Sequence, residues 1–227
     1  MSPINAVLVL VVALTTSGPR SFFPPSLKLD VSQKALERAV RVERPDAGVE
    51  DGARLLKDFE WVLVAMKEKP LWSRHGPRAY RMLAMLHRSI LVLRLERSGG
   101  GGPELVAKRY DQGSRTEGVG LSASRTLDLN ESSYRELVSA FVQTGVPDKT
   151  GFRENATYRD GWFDPLSGVF LFEYAGEGAY GLAVFEPPLT GSGLEGDAAA
   201  RFVERALTLI GVDFLSPSQR GEYVESQ

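Results

Sequence analysis

Residues 77–97 read PRAYRMLAMLHRSILVLRLER, and the way this stretch divides decides the fold. Two periodicities compete in it. In the first half Ala79, Met82, Leu83, Leu86 and Ile90 recur at helical spacing, with Arg78, Arg81 and Arg88 on the other side. Apolar residues at i, i+3, i+4 and i+7 mark one face of a helix, and proline is well suited to open one. This predicts a helix from Pro77 to about Ser89. From Ile90 the alternation shortens to two. ILVLRLER and ELVAKRY then flank SGGGGP, which predicts a β-hairpin with a glycine-rich tip.

Working outward, the segment before Pro77 is helical by the same criterion. Val31, Ala35, Leu36, Ala39 and Val40 predict a short helix over 31–43. Leu55, Leu56, Phe59, Val62, Leu63 and Met66 form the apolar stripe of a second, from Gly52 to about Lys69, with Pro70 to end it. Downstream, a strand around 125–129 leads to Asn130, a good N-cap, and a helix over 131–143 that buries Tyr134, Leu137, Val138 and Phe141 and stops at Gly145. GVFLFEY and YGLAVFE flank AGEGA as a second hairpin, and a last helix over 197–210 stops at Gly211. The fold class expected is α+β: N-terminal helices followed by an antiparallel β-sheet built from two hairpin-then-helix units.

The N-terminus bears on compartment. AVLVLVVAL at 6–14 is followed by small residues, the pattern of a secretory signal peptide and too short for a bilayer span, which takes about 20 apolar residues. The alternative is a buried strand. The expected organisation is a signal peptide over 1–18, a Pro-rich linker over 19–30, one domain over 31–215 and a polar tail over 216–227.

Composition excludes several chemistries. The 227 residues include no cysteine, which removes disulfides, thiolate nucleophiles, iron–sulfur clusters and a lipoprotein anchor. A net charge of −2 is unlike that of a dedicated nucleic-acid binder. The only histidines, His75 and His87, are twelve residues apart and offer no short-spaced metal motif. GVPDKTG has Asp148 where a phosphate-binding loop needs glycine, and no Gly-x-Ser-x-Gly elbow is present. No cofactor, metal or nucleotide is expected.

The acidic stretch RDGWFDPLSGVFLFEY, 159–174, raises the question of catalysis. Both faces of GVFLFEY are apolar, so it predicts a central, doubly covered strand, and FDPLSG before it is a turn. Asp160 and Asp164 then fall in the approach loop and Glu173 near the hairpin end, as turn and surface carboxylates. A calcium loop counted from Asp160 fails, with Trp162, Pro165 and Leu171 at positions 3, 6 and 12. Asp160, Glu173 and His75 are the candidates for catalysis, and a buried Glu173 would need an arginine partner such as Arg81 or Arg94.

The succession AYRMLAMLHRSILVLRLERSGGGGPELVAKRYDQG, LDLNESSYRELVSAFVQTG, RDG and FLFEYAGEGAYGLAVFEPP resembles a group of uncharacterised exported bacterial proteins over about residues 77–212. On that resemblance the shared positions are Tyr80, Arg81, His87, Arg94, Asp160, Gly161, Glu173 and Tyr180, with Phe172 where the group tends to have tryptophan. The resemblance implies fold and export, and no activity.

Charge is unevenly placed. Lys67 to Arg97 carries eight basic residues against two acidic, a net of +6, and Asp160 to Gln227 three against eleven, a net of −8. Either the two parts neutralise one another on folding, or a basic patch faces an anionic partner. Arg78, Arg81, Arg88 and Arg94, with Tyr80, His87 and Tyr180, are the candidate binding residues. The reading favoured is an exported, non-catalytic protein that binds another macromolecule, a protein or an anionic envelope component, and neither nucleic acid nor nucleotide. The alternatives are a carboxylate-dependent hydrolase or, if the N-terminal run is a strand, a cytoplasmic immunity- or adaptor-type protein.

Overall fold

The structure, a computed structural model, describes residues 21–27, 52–72, 78–86, 89–97, 101–111, 121–147, 151–153, 168–176, 178–185 and 194–214. Where the spacing predicts a helix from Pro77 to about Ser89, the described residues Ala79–Leu86 form a strand. Strand β1, Ala79–Leu86, pairs antiparallel with β2, Ser89–Arg97, on one side and with β6, Gly168–Gly176, on the other. The reason for the misreading is burial on both faces. Tyr80, Met82 and Ala84 point to one side of the sheet and Arg81 and Leu83 to the other, and all five are buried. A strand covered on both faces is nearly continuous in apolar residues, so it matches helical spacing as readily as alternation.

The remaining strands are β3 (Pro103–Asp111), β4 (Ala123–Asp128), β5 (Gly151–Arg153) and β7 (Ala179–Phe185). They complete a seven-stranded sheet in the order β4-β3-β2-β1-β6-β7-β5, antiparallel except where β5 lies parallel to β7. The protein is thus a mixed α+β fold. Among the described residues one helix, α1 (Gly52–Ala65), precedes the sheet, and the others, α2 (Glu131–Gln143) and α3 (Leu194–Ile210), follow β4 and β7. The helices-first arrangement is therefore corrected. The picture of two hairpin-then-helix units is not shown, because β4 pairs with β3 as the outer strand of a four-strand meander before α2 begins. The expected helix over 31–43, the leader and the polar tail lie outside the described residues.

Two apolar layers enclose the sheet. On one face, α2 and α3 cover Tyr80, Met82, Leu93 and Phe172, with Leu137, Phe141, Phe202 and Leu207 supplying the helical side. Phe141 is the hub, its ring 5.1 Å from Tyr80, 5.4 Å from Phe172 and 5.3 Å from Phe202. Asn130 caps α2, accepting from the Ser133 amide at 2.8 Å, and Gly145 takes a φ of 74° just beyond its end. On the other face α1 lays Phe59, Val62, Leu63 and Met66, together with Phe22 and Phe23, over Leu83, Val92, Leu171 and Val184. Past these residues that face carries charge, where α1 terminates, and a small apolar cluster of Leu71, Ala79 and Ala175 lies beyond the charge.

One glycine records how tightly the layers close. A Cβ on Gly181 in β7 would collide with the carbonyl oxygen of Val146, in the turn after α2. Gly181→Ala must therefore displace backbone, and we expect a loss of about 1–3 kcal/mol, the usual cost of overpacking, measured by urea or thermal denaturation.

Candidate functional site

α1 does not run to Lys69. It ends at Ala65 in a turn where Lys67 adopts a φ of 54°, the Lys67 amide donates to Val64 O at 2.9 Å and the Glu68 amide to Leu63 O at 2.8 Å. This is the pair of reversed hydrogen bonds that satisfies the last carbonyls of a helix, with lysine in the left-handed position glycine usually fills. Its consequence is positional. Glu68 is turned inward beneath the helix end and delivered to the charged part of the sheet, fully buried at its side chain.

Three adjacent strands meet it there. Arg94 of β2, Arg81 of β1 and Glu173 of β6 are direct cross-strand neighbours, so Arg81 stands between a like charge and an opposite one. Arg81 donates through Nε to Glu173 Oε2 at 2.8 Å and through Nη2 to the same oxygen. Its Nη1 reaches Lys69 O at 2.9 Å and Glu68 Oε2 at 3.5 Å. Arg94 donates to Glu68 Oε2 at 2.7 Å and to Glu96 Oε1 at 3.1 Å. Lys108 of β3 stands 2.6 Å from Glu68 Oε1 and donates to Met66 O at 3.0 Å and Lys67 O at 3.2 Å. The Tyr180 hydroxyl of β7 donates to Glu173 Oε1 at 3.1 Å. Two like charges facing each other across a sheet are destabilising. Glu68 removes the conflict by accepting from both arginines.

The carboxylates respond to this setting in opposite ways. Burial pushes the Glu68 carboxyl up, but Arg94, Lys108 and Arg81 together pull it below its ordinary 4.5. At Glu173 burial prevails, holding the carboxyl above 4.5 against Arg81 and the Tyr180 hydroxyl, with the Glu68 charge adding to the rise. Burial, with the Glu173 charge beside it, likewise raises Tyr180, which stays a hydrogen-bond donor at any physiological pH.

Of the sequence-derived candidates, Arg81, Arg94, Glu173 and Tyr180 come together here. Arg81 was placed on a solvated helix face and Glu173 among surface carboxylates. Both are in fact completely buried, because they alternate inward on two central strands covered by α1. Tyr80 points to the opposite face of the sheet, against Phe141. Arg78 is exposed just before β1. His75, His87, Arg88, Asp160, Gly161 and Asp164 lie outside the described residues. The sequence reading missed Glu68 and Lys108. The available signal was a charged residue inside an otherwise apolar strand, ELVAKRY for Lys108. Glu68 gave none, since it looked like the last turn of a helix.

At Glu173 the cluster is closed. Each oxygen of Glu173 is engaged and neither is open to water. Among the described residues no three acidic or histidine side chains are placed to hold a metal, and no helix is long and apolar enough to cross a membrane. No protein-family model matches the chain, and no curated protein matches it.

Two outcomes follow from this geometry. Removing either partner of the Arg81–Glu173 pair leaves a buried charge uncompensated, so Arg81→Ala and Glu173→Ala should each cost about 3 kcal/mol or more. The double variant should cost much less than their sum, as a double-mutant cycle by chemical denaturation would show. The second concerns pH. Glu68, with its depressed pKa, contributes stability that is present above pH 4.5 and lost as pH falls through its lower native value. Glu173, with its raised pKa, contributes stability that is full below pH 4.5 and lost as pH climbs through its higher native value. The stability gap between wild type and Glu68→Gln should therefore narrow on acidification, and that between wild type and Glu173→Gln should widen, in melts from about pH 3 to pH 8.

Proposed function

We propose that the chain is an exported, non-catalytic protein that acts by binding another macromolecule of the cell envelope. One observation carries the non-catalytic part. Glu173, one of the two carboxylate candidates for a hydrolase, is sealed in the sheet with Arg81 on one oxygen and Tyr180 on the other. A general acid or base must come within hydrogen-bond reach of its substrate. Glu173 serves instead to neutralise Arg81.

The binding part is supported by what α1 presents to solvent. Trp61 and Val64, one turn apart on its outer face, leave 55% and 59% of their surface exposed. Tryptophan is enriched among residues that anchor protein–protein contacts. Export is supported by the apolar run AVLVLVVAL with small residues after it, and by the resemblance to exported proteins.

Two measurements test this reading. The intact mass of the protein recovered from its native host should show loss of about the first 17–25 residues, as signal cleavage requires; an intact Met1 in the cytosol would defeat export. Wild type should turn over no ester, phosphoester, glycoside or peptide substrate, and Glu173→Gln should lower the melting temperature. A variant that melts like wild type yet loses a measurable activity would establish the hydrolase instead.

A further inference from the structure

The cations around Glu68 form a site in their own right. Arg81, Arg94 and Lys108 come from three neighbouring strands, are fixed by the sheet, and converge on one carboxylate that belongs to none of those strands. Glu68 is carried by the turn after α1, and the turn is held in a conformation that L side chains rarely adopt, at Lys67. Glu68 Oε1 is buried and held by Lys108 Nζ alone, at 2.6 Å, an ammonium that also donates to Met66 O and Lys67 O. Arg94 and Lys108 each keep 13% of their side chain open to water, so two of the three cations border solvent although Glu68 itself does not.

We propose that Arg81, Arg94 and Lys108 form a carboxylate-binding socket in which Glu68 is an intramolecular ligand that an external carboxylate can replace. The basis is charge and shape together. Without Glu68, three buried or nearly buried cations face only Glu173 and Glu96, and the imbalance selects an anion. The two arginines address one oxygen and the lysine the other, the geometry of a planar carboxylate. The cationic wall is rigid, because it is built on paired strands, whereas Glu68 sits on a single turn. Replacement would lift the end of α1 from the sheet, so ligand binding and release of that turn would be one event. The proposal goes beyond the binding reading above and stands on the socket alone.

Chemical rescue provides the test. Glu68→Ala empties the socket, and sodium acetate titrated at constant ionic strength against sodium chloride should raise its melting temperature progressively. Wild type and Glu68→Gln, in which the socket stays filled, should show no difference between the two salts. Equal melting of Glu68→Ala in acetate and chloride would overturn the proposal. Should Glu68→Ala fail to fold in either salt, hydrogen exchange of the wild-type protein decides. Acetate should then speed exchange at the Lys67 and Glu68 amides several-fold over chloride and leave the amides of β1 unchanged. Identical exchange at Lys67 and Glu68 in the two salts would overturn the proposal.

Discussion

An arginine in the central strand of a sheet covered on both faces is the constraint around which one side of this protein is arranged. Arg81 has no exposed surface, and an isolated guanidinium there would carry a desolvation penalty of several kcal/mol. It must therefore be neutralised within reach. Glu173, its direct partner on β6, does so once, and the price is that Arg94 on β2 then stands beside Arg81 with the same sign. Glu68 resolves that second problem only if α1 ends where it does. The position of the helix, the left-handed Lys67 and the register of β1 against both neighbours are thus coupled through a single cluster.

The same arrangement, strand cations meeting helix ends, recurs elsewhere with a different weight. Arg81 and Lys108 donate to carbonyls of the turn just beyond α1, Arg81 to Lys69 O and Lys108 to Met66 O and Lys67 O. Arg125 of β4 donates to Ile210 O at the end of α3 and pairs with Asp213. Arg97 of β2 forms a two-armed pair with Glu131 in the first turn of α2, at 2.8 and 2.9 Å, where a carboxylate complements the positive end. Both outer pairs sit in water, which screens them, so they orient the helices more than they stabilise them. Burial alone makes the α1 cluster different. There a lost partner cannot be replaced by solvent.

The parts of the fold legible in the sequence were those with a local signal, such as a cap, a solvated face or a glycine-rich tip. Helix α2 came out at 131–143 because Asn130 caps it and Tyr134, Leu137 and Phe141 alternate with solvated residues. The β2–β3 and β6–β7 hairpins were visible through their glycine-rich tips. β1 was not, since both its faces are buried and its apolar residues fit helical spacing as readily as alternation. Strand β5 is three residues long, and its pairing to β7 brings together segments that nothing local relates. At the site, Arg81, Arg94, Glu173 and Tyr180 could be singled out as charged or hydroxylated residues within strands, and the pairing of Glu173 with Arg81 could be anticipated from the cost of burying a carboxylate. Glu68 could not, because its role depends on a backbone reversal at a lysine, where sequence rules look for glycine.

A buried ion cluster is weak evidence of stability for its own sake, since apolar residues of similar volume often serve as well or better. What it supplies is discrimination among arrangements. A one-residue slip of β1 would carry Arg81 to the face packed by Phe141 and Phe202, where no carboxylate waits, and bring Tyr80 under α1. A shift of α1 along the sheet would withdraw Glu68 from two arginines at once. Both errors strand a charge, and each is thereby excluded more strongly than by shape. The same reasoning bears on the charge asymmetry of the chain. Arg81 is neutralised from the acidic C-terminal part by Glu173, but Arg94 and Lys108 are neutralised locally by Glu68 and Glu96. Part of the net +6 between Lys67 and Arg97 is thus turned inward and serves to hold α1 in place, rather than to meet a partner at the surface.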